Sequence, residues 1–267
     1  MSTPEPHVRE AGQGPGVVCL HANASSSSQW RELLERLAPH HHVLAPDAYG
    51  AGRSPEWPSD RVIALDDEVA LIAPVLARAG TPFSLVGHSY GGAVALKAAL
   101  AHRPRLQALA LYEPTLFALV ETTPPAPNGT EGIHDAVAAA AAALDAGDRD
   151  TAARCFIDYW MGPGSLASAP PERQAAMAAS VVNVRRWAHA LTTEPTPLDA
   201  FRALDLPVLL MVGARSTAAA HAVARRLASA LPRVEWLEFP ELGHMGPVTH
   251  PQRVNDAIAD FLERSGA

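Results

Sequence analysis

One serine in this chain lies in a setting that suits nucleophilic chemistry. Ser89 stands between two glycines in the segment Gly87-His88-Ser89-Tyr90-Gly91, where a short apolar run gives way to an Ala-rich helical pattern. Small neighbours at this spacing predict a sharp strand-to-helix turn that presents the serine hydroxyl to a substrate. An isolated match is equally typical of a glycine-rich turn with a surface serine, so the rest of the chain must decide.

A serine hydroxyl is a weak nucleophile at neutral pH and needs a neighbouring base to take its proton during attack. His244 suits that role because it follows the last predicted strand in a glycine-flanked loop, Gly243-His244-Met245-Gly246-Pro247. An imidazole titrates near neutral pH and can both accept and return a proton. Among the 12 histidines, His40, His41 and His42 are predicted to be surface polar groups.

Strand and helix patterns alternate around the serine. Phe83 to Val86 is a short apolar run that predicts a buried strand, and Tyr90 to His102 has a helical pattern. Leu106 to Tyr112 is a continuous apolar run that predicts another buried parallel strand, which ends at Glu113. Ligands bind parallel sheets at the carboxyl ends of the strands, and both Ser89 and Glu113 fall at that edge.

The remaining patterns extend the alternation. They predict strands at 7–11, 17–20, 43–45, 207–212 and 233–239, and helices at 30–38, 65–79, 218–231 and 251–263. Pro74 is expected to kink or break the helix at 65–79. The glycine loop at 47–54 is interpreted as a structural turn. Repeated strand–helix units predict an α/β fold, a doubly wound and mostly parallel sheet with helices on both faces.

The pattern changes between residues 115 and 197. This stretch has no strand signal, but it has a Pro/Gly loop at 122–132 and helical patterns near 134–146, 149–160 and 171–192. We therefore expect a core domain made of residues 1–114 and 198–267, interrupted by a helical insertion at 115–197.

Composition restricts the classes of partner. The 267 residues carry a formal net charge of -7 and are 48% hydrophobic and 18% charged, which predicts a large apolar core and gives no basic surface for nucleic acid or an anionic membrane. No apolar run has the length of a membrane span, and the polar N-terminus lacks a secretory pattern, so we expect a cytoplasmic protein. The two cysteines, Cys19 and Cys155, are expected to be free thiols.

Four segments together resemble the α/β-hydrolase superfamily. They are the strand ending in His21-Ala22-Asn23, the loop Asp47-Ala48-Tyr49-Gly50-Ala51-Gly52-Arg53-Ser54, the turn around Ser89, and the loop around His244. The resemblance implies an esterase-like serine hydrolase with a backbone oxyanion hole and with the insertion as a helical cap. The oxyanion donors would be the amides of Asn23 and Tyr90. Where the family usually has His-Gly, this chain has His21-Ala22.

The acid of the triad departs from the common family pattern. Many relatives carry an aspartate in a Gly-x-x-Asp pattern after the strand that matches 207–212, but this chain has Gly213-Ala214-Arg215-Ser216. Some members of the superfamily place the acid after the strand that ends here at Glu113. We therefore predict Ser89, His244 and Glu113 as nucleophile, base and acid. The alternative is a Ser-His dyad in which Glu113 only caps a loop.

The insertion supplies candidate substrate-binding residues. Trp160, Met161 and Trp187, together with Met245 beside the histidine, are predicted to contact substrate, and Met177, Val181 and Leu191 share the helical spacing. At such spacing, aromatic and Met residues are more often plain core, and we favour core for most of the helical ones. The predicted partner is a small acyl compound, and the oligomeric state is left open.

The expected function is cofactor-independent, metal-free hydrolysis of a carboxylic ester through an acyl-enzyme. Thioester, lactone and C–C bond hydrolysis and perhydrolysis use the same triad and stay open as alternatives. An alternative of another class is a non-catalytic ligand-binding protein on the same fold.

Overall fold

The computed structural model describes residues 4–121 and 129–266, and these residues form a seven-stranded sheet. Its strands are β1 (Val8–Ala11), β2 (Gly16–Leu20), β3 (His42–Pro46), β4 (Phe83–His88), β5 (Leu106–Tyr112), β6 (Val208–Gly213) and β7 (Val234–Phe239). The strand order is β1-β3-β2-β4-β5-β6-β7. Only the edge strand β1 pairs antiparallel within this sheet, and the other pairs are parallel. The predicted α/β fold class is confirmed.

Helices cover both faces of the sheet. The helices of the described residues are α1 (Arg31–Leu37), α2 (Leu65–Arg78), α3 (Tyr90–His102), α4 (Ala118–Glu121), α5 (Glu131–Asp145), α6 (Arg149–Met161), α7 (Pro171–Ser180), α8 (Val184–Thr192), α9 (Ala218–Ala230), α10 (Gly246–Thr249) and α11 (Pro251–Arg264). Short 3₁₀ turns occupy Ser27–Trp30, Arg103–Arg105, Val181–Asn183 and Leu198–Ala203. Within the described ranges, none of these helices is long and apolar enough to cross a membrane.

The two-sided core follows from the alternation of side chains along the central strands. In β5, Leu109 and Leu111 pack with α2, α3 and α9 on one face, whereas Ala108 and Ala110 pack with α1 and α11 on the other. Every residue of β4 and β6 is buried. Strands buried on both faces read as continuous apolar runs, which explains why the sequence revealed them clearly.

The helical stretch between β5 and β6 differs in detail from its prediction. The pattern at 171–192 predicts one helix, but the 3₁₀ turn at Val181–Asn183 separates α7 from α8. The short helix α4 lies where no element is predicted. Most of the predicted loop at 122–132 lies outside the described residues, and its last two positions, Glu131 and Gly132, already belong to α5.

Pro74 lies inside α2 without breaking it, and the helix runs on to Arg78. The prediction that His41 is a surface group is wrong: it is buried with 9% of its surface exposed, because it immediately precedes the buried strand β3. By contrast, Asp47 pins the loop at 47–54 as a turn: its carboxylate accepts the amides of Ser27 at 2.5 Å and Arg53 at 2.9 Å.

Candidate active site

The turn at Ser89 joins β4 directly to α3 and leaves the serine in a strained backbone conformation. Ser89 has φ of 55° and ψ of -119°, in a region that L-residues rarely occupy. A Cβ at Gly91 would lie 2.3 Å from the carbonyl oxygen of Leu20, and one at Gly87 would lie 2.7 Å from that of Gly91. Only glycine fits at both positions, so β2, β4 and α3 can approach closely and hold the serine at the edge of the sheet.

Ser89, His244 and Glu113 meet at this edge. The Oγ of Ser89 lies 2.9 Å from Nε2 of His244, and Nδ1 of the same ring lies 2.7 Å from Oε2 of Glu113. A carboxylate only accepts hydrogen bonds, so Nδ1 carries the proton and Nε2 is free to accept the serine proton. The arrangement has the order and polarity that general-base activation of a serine requires.

Glu113 is fully buried and is held by three donors. Its Oε1 accepts the backbone amide of Gly213 at 2.7 Å, and its Oε2 accepts both His244 Nδ1 and the hydroxyl of Ser216, the latter at 2.6 Å. Ser216 stands at the position where many relatives carry the acid. Here its hydroxyl donates a hydrogen bond to Glu113, which follows a different strand, β5. Glu113 also has a positive φ of 43°, which indicates that its orientation is enforced by the surrounding contacts.

The predicted oxyanion donors come from two segments that lie next to Ser89. Tyr90 is the first residue of α3, and the first four amides of a helix have no acceptor within it. Asn23 lines the cavity above Ser89. His21 holds the loop before Asn23: its Nε2 accepts the amide of Ala48 at 3.1 Å, and its Nδ1 donates to the carbonyl of Ala22 at 2.7 Å. Burial lowers the pKa of His21, so the ring stays neutral in this structural role.

A chain of hydrogen bonds connects the loop after β2 to the loop of His244, and no motif in the sequence indicates it. The amide of Ala22 donates to Oε1 of Gln29 at 3.2 Å, and Nε2 of Gln29 lies 3.1 Å from Nδ1 of His88. Nε2 of His88 lies 2.8 Å from the carbonyl oxygen of His244 and must donate to it. Each donor therefore has a defined acceptor. Burial, followed by the nearby His244 ring, lowers the pKa of His88 well below its ordinary value, so this histidine is neutral.

An apolar cavity of about 60 Å³ opens above Ser89 and His244. One water needs about 10–15 Å³, so the space suits a short acyl group. All four predicted substrate-binding residues, Trp160, Met161, Trp187 and Met245, line it. Apart from His244, no described residue in its wall belongs to a charged type.

Most of the helical candidates both pack in the core and face the cavity. Val181, Trp187 and Leu191 belong to the buried core, and Trp160 and Met177 pack against it. Of these residues and Met161, all except the fully buried Val181 also line the cavity.

Trp160 contacts the base itself. The indole stacks on the imidazole of His244 with ring centroids 3.9 Å apart and planes inclined by 25°. A cation over an aromatic face gains about 0.5–2 kcal/mol. The indole of α6 is thus placed to stabilise positive charge on the His244 ring.

A buried carboxyl lies behind the serine turn. Glu68 of α2 accepts the hydroxyl of Tyr90 at 3.1 Å and the amide of Tyr49 at 3.3 Å. Burial raises the pKa of Glu68 to about 7, against the two hydrogen bonds that lower it. The Tyr90 ring in turn packs near Trp187, with centroids 6.5 Å apart. This cluster ties the helix that begins after Ser89 to both α2 and α8.

Neither cysteine is among the described residues that line the cavity. Cys19 and Cys155 are free, and burial raises the pKa of the Cys19 thiol. Among residues 4–121 and 129–266, no group of three or more His, Cys, Asp or Glu could hold a metal ion.

The parallel sheet, the serine turn and the buried Ser-His-Glu arrangement define the class of protein: the chain belongs to the alpha/beta hydrolase family, whose model matches residues 17–257. It is thus an enzyme of the hydrolase type. A curated relative, the pimeloyl-[acyl-carrier protein] methyl ester esterase of Chromobacterium violaceum, is 30% identical over 96% of this chain and 97% of its own.

Further relatives agree with this assignment. The 2-hydroxymuconate semialdehyde hydrolase of Pseudomonas sp. (strain CF600) is 27% identical over 96% of this chain and 86% of its own. An alpha/beta hydrolase from Sphaerobacter thermophilus superposes with a TM-score of 0.71 at 26% identity, covering 96% of this chain and 95% of its own. A thermophilic esterase from Thermogutta terrifontis shares the fold, with a TM-score of 0.73 at 23% identity over 98% of this chain and 94% of its own.

Proposed function

We propose that this protein is a cofactor-independent serine hydrolase that cleaves a carboxylic ester of a short, uncharged acyl group through an acyl-enzyme. The observation that carries the proposal is the continuous hydrogen-bonded line from Ser89 Oγ through the ring of His244 to Glu113, at 2.9 and 2.7 Å, beneath an apolar cavity. The relative named as a methyl ester esterase supports an ester as the substrate class.

In the proposed mechanism, Ser89 Oγ attacks the ester carbonyl carbon while His244 Nε2 takes the hydroxyl proton. The negative charge that develops on the carbonyl oxygen is stabilised by the amides of Asn23 and Tyr90. His244 then returns the proton to the departing alkoxide, which leaves as the alcohol and the acyl-enzyme remains. A water attacks the acyl-enzyme by the same route, so that the acid is released and Ser89 regains its proton.

The cavity favours a small neutral substrate. An unpaired ionised group would have to lose its hydration in an apolar wall, which costs several kcal/mol or more. Residues 115–197 are proposed to act as a cap, because α6 and α8 supply Trp160 and Trp187 to the cavity. Lys97 of α3 and the buried Glu194, paired at 2.7 Å, join the end of this cap to the core.

The test is hydrolysis of p-nitrophenyl acetate, butanoate, hexanoate and octanoate by the wild type and by Ser89→Ala. We expect a pre-steady-state burst with the wild type, a preference for the shorter chains, and loss of turnover by at least about a thousandfold in Ser89→Ala. Labelling by a fluorophosphonate is expected in the wild type and not in the variant.

The alternatives predict different results from the same assay. Labelling of Ser89 without ester turnover would move the assignment to a thioester, a lactone, a C–C bond or perhydrolysis, each of which can be assayed in turn. Absence of both labelling and turnover would favour a ligand-binding protein on this fold.

A further inference from the structure

Two buried polar atoms beside the cavity have no hydrogen-bond partner among residues 4–121 and 129–266. Thr115 is 1% exposed and lines the cavity, and its hydroxyl oxygen is buried without a hydrogen bond to any described residue. Asn23 also lines the cavity, and its Oδ1 is likewise buried and unpaired. More than about nine in ten buried polar groups in proteins have a partner, so both atoms call for an explanation.

Both residues are fixed close to the reacting centre. The amide of Thr115 donates to the carbonyl oxygen of Ser89 at 3.3 Å, and Thr115 follows Glu113 by two positions. Asn23 carries one of the two proposed oxyanion donors. Because Asn23 and Thr115 line the same cavity as Ser89, we expect an acyl group attached to Ser89 to bring its first carbon atoms near these two side chains.

The unpaired atoms restrict the chemistry of a matching group. Oδ1 of Asn23 only accepts, so the group must donate a hydrogen bond, which a ketone or an ether does not do. The Thr115 hydroxyl can donate or accept. None of the described residues that line the cavity is acidic and could pair with an ammonium, and an unpaired charge would be costly there. A neutral hydroxyl, which both donates and accepts, satisfies these conditions.

We propose that Asn23 and Thr115 bind a hydroxyl group on the acyl chain, so that the preferred substrate is an ester of a short hydroxy acid. This inference rests on the proposed esterase function. An acyl chain that lacks the hydroxyl leaves both polar atoms buried and unpaired, and a site built to bind a substrate hydroxyl discriminates strongly against the analogue without it.

The test compares p-nitrophenyl butanoate with the p-nitrophenyl esters of 2-hydroxy- and 3-hydroxybutanoate, each in both enantiomers. The measured quantity is the ratio of kcat/KM for each hydroxy ester to kcat/KM for butanoate. This ratio is divided by the ratio of the rate constants for hydrolysis of the same two esters by hydroxide without enzyme, which removes their difference in intrinsic reactivity. We expect a wild-type ratio of about ten or more for at least one hydroxy ester.

Three variants connect this ratio to the two side chains. Thr115→Val keeps the shape and removes the hydroxyl, and should lower the ratio about tenfold. Thr115→Ser keeps the hydroxyl and should restore the ratio. Asn23→Ala removes Oδ1 but keeps the backbone amide, and should also lower the ratio. The matched control is Thr193→Val. The hydroxyl of the exposed Thr193 donates to the carbonyl of His189 at 2.8 Å, one turn earlier in the chain. This variant should leave the ratio as in the wild type.

The outcomes separate this inference from the function on which it rests. Ester turnover with all four ratios within about twofold of one would overturn the inference and leave the proposed esterase function standing. The two polar atoms would then be assigned to binding water. A high ratio that survives in both Thr115→Val and Asn23→Ala would overturn the assigned residues. Absence of turnover with every ester would overturn both proposals. If Thr115→Val does not fold, Thr115→Ser and Asn23→Ala decide.

Discussion

Replacing Glu113 with glutamine separates a triad from a dyad, and the structure predicts how it acts. The three donors that face the carboxylate come from His244, Ser216 and the amide of Gly213. If the NH₂ of the glutamine faces Gly213, it opposes a backbone N–H that cannot rotate. A buried donor is then left unpaired, which costs about 1–3 kcal/mol. If the NH₂ faces His244 and Ser216 instead, the Ser216 hydroxyl rotates to accept a hydrogen bond and Nδ1 of His244 becomes an acceptor.

The second arrangement satisfies the hydrogen bonds and is therefore favoured, but it inactivates the base. Once Nδ1 accepts, the ring proton lies on Nε2, which faces Ser89 at 2.9 Å and can no longer take its proton. The same substitution of the acid in a serine protease triad lowers kcat by about 10⁴. That factor corresponds to about 5.5 kcal/mol in the activation free energy. We expect a loss of about 10³- to 10⁴-fold in kcat for Glu113→Gln.

The assay is steady-state kcat on the best p-nitrophenyl ester, together with the amplitude and rate of the acylation burst. Glu194→Gln is the matched control, since Glu194 is also a buried carboxylate, 2% exposed, but pairs with Lys97 away from the triad. It should lower the unfolding temperature and keep kcat. A folded Glu113→Gln enzyme with kcat within tenfold of the wild type would refute the reasoning and favour a Ser-His dyad.

Further variants test other contacts. Glu68 holds a proton in the folded state up to pH about 7, whereas the unfolded chain releases it near 4.5. As pH rises from about 4.5 to above 7, the free energy of unfolding of the wild type should therefore fall relative to that of Glu68→Gln, by up to about 3 kcal/mol. Urea denaturation at pH 5 and at pH 8 measures both proteins; the same difference in unfolding free energy at the two pH values would contradict this. Gln29→Leu breaks the chain to His88 and should lower kcat about tenfold with little change in KM; a change in KM alone would argue against a positioning role. Gly91→Ala places a Cβ 2.3 Å from a backbone oxygen and should reduce the free energy of unfolding by about 2 kcal/mol or more, as measured by urea denaturation; an unchanged midpoint would show that β2 and α3 separate easily.

Residues that follow central strands could be predicted from the sequence because their surroundings are local. Glu113 directly follows the apolar run at 106–112, and Ser89 follows the run at 83–86 after two residues; both runs favour buried strands. His244 lies in a glycine-flanked loop after the last strand. In a parallel sheet these positions must converge on one edge, so the pattern alone brings them together. In the structure, His244 lies 2.9 Å from Ser89 and 2.7 Å from Glu113 at that edge.

Contacts between distant segments could not be predicted in the same way. Gln29 and His88 are 59 positions apart, and His88 and His244 are 156 apart, and no periodicity relates them. Trp160 has the same helical spacing as a core residue, and only the packing of α6 over the sheet shows that it faces the imidazole. The break between α7 and α8 at Val181–Asn183 contains neither proline nor glycine, so no residue type there predicts it.

The stacking of Trp160 on His244 also makes the indole an optical reporter of the base. An imidazolium quenches the fluorescence of an adjacent indole more strongly than a neutral imidazole does, because the charged ring accepts an excited-state electron more readily. With ring centroids 3.9 Å apart, each proton that passes to His244 changes the emission of this tryptophan. Displacement of α6 would separate the rings and restore the emission, so one native chromophore registers both the chemistry and the position of the helix above it.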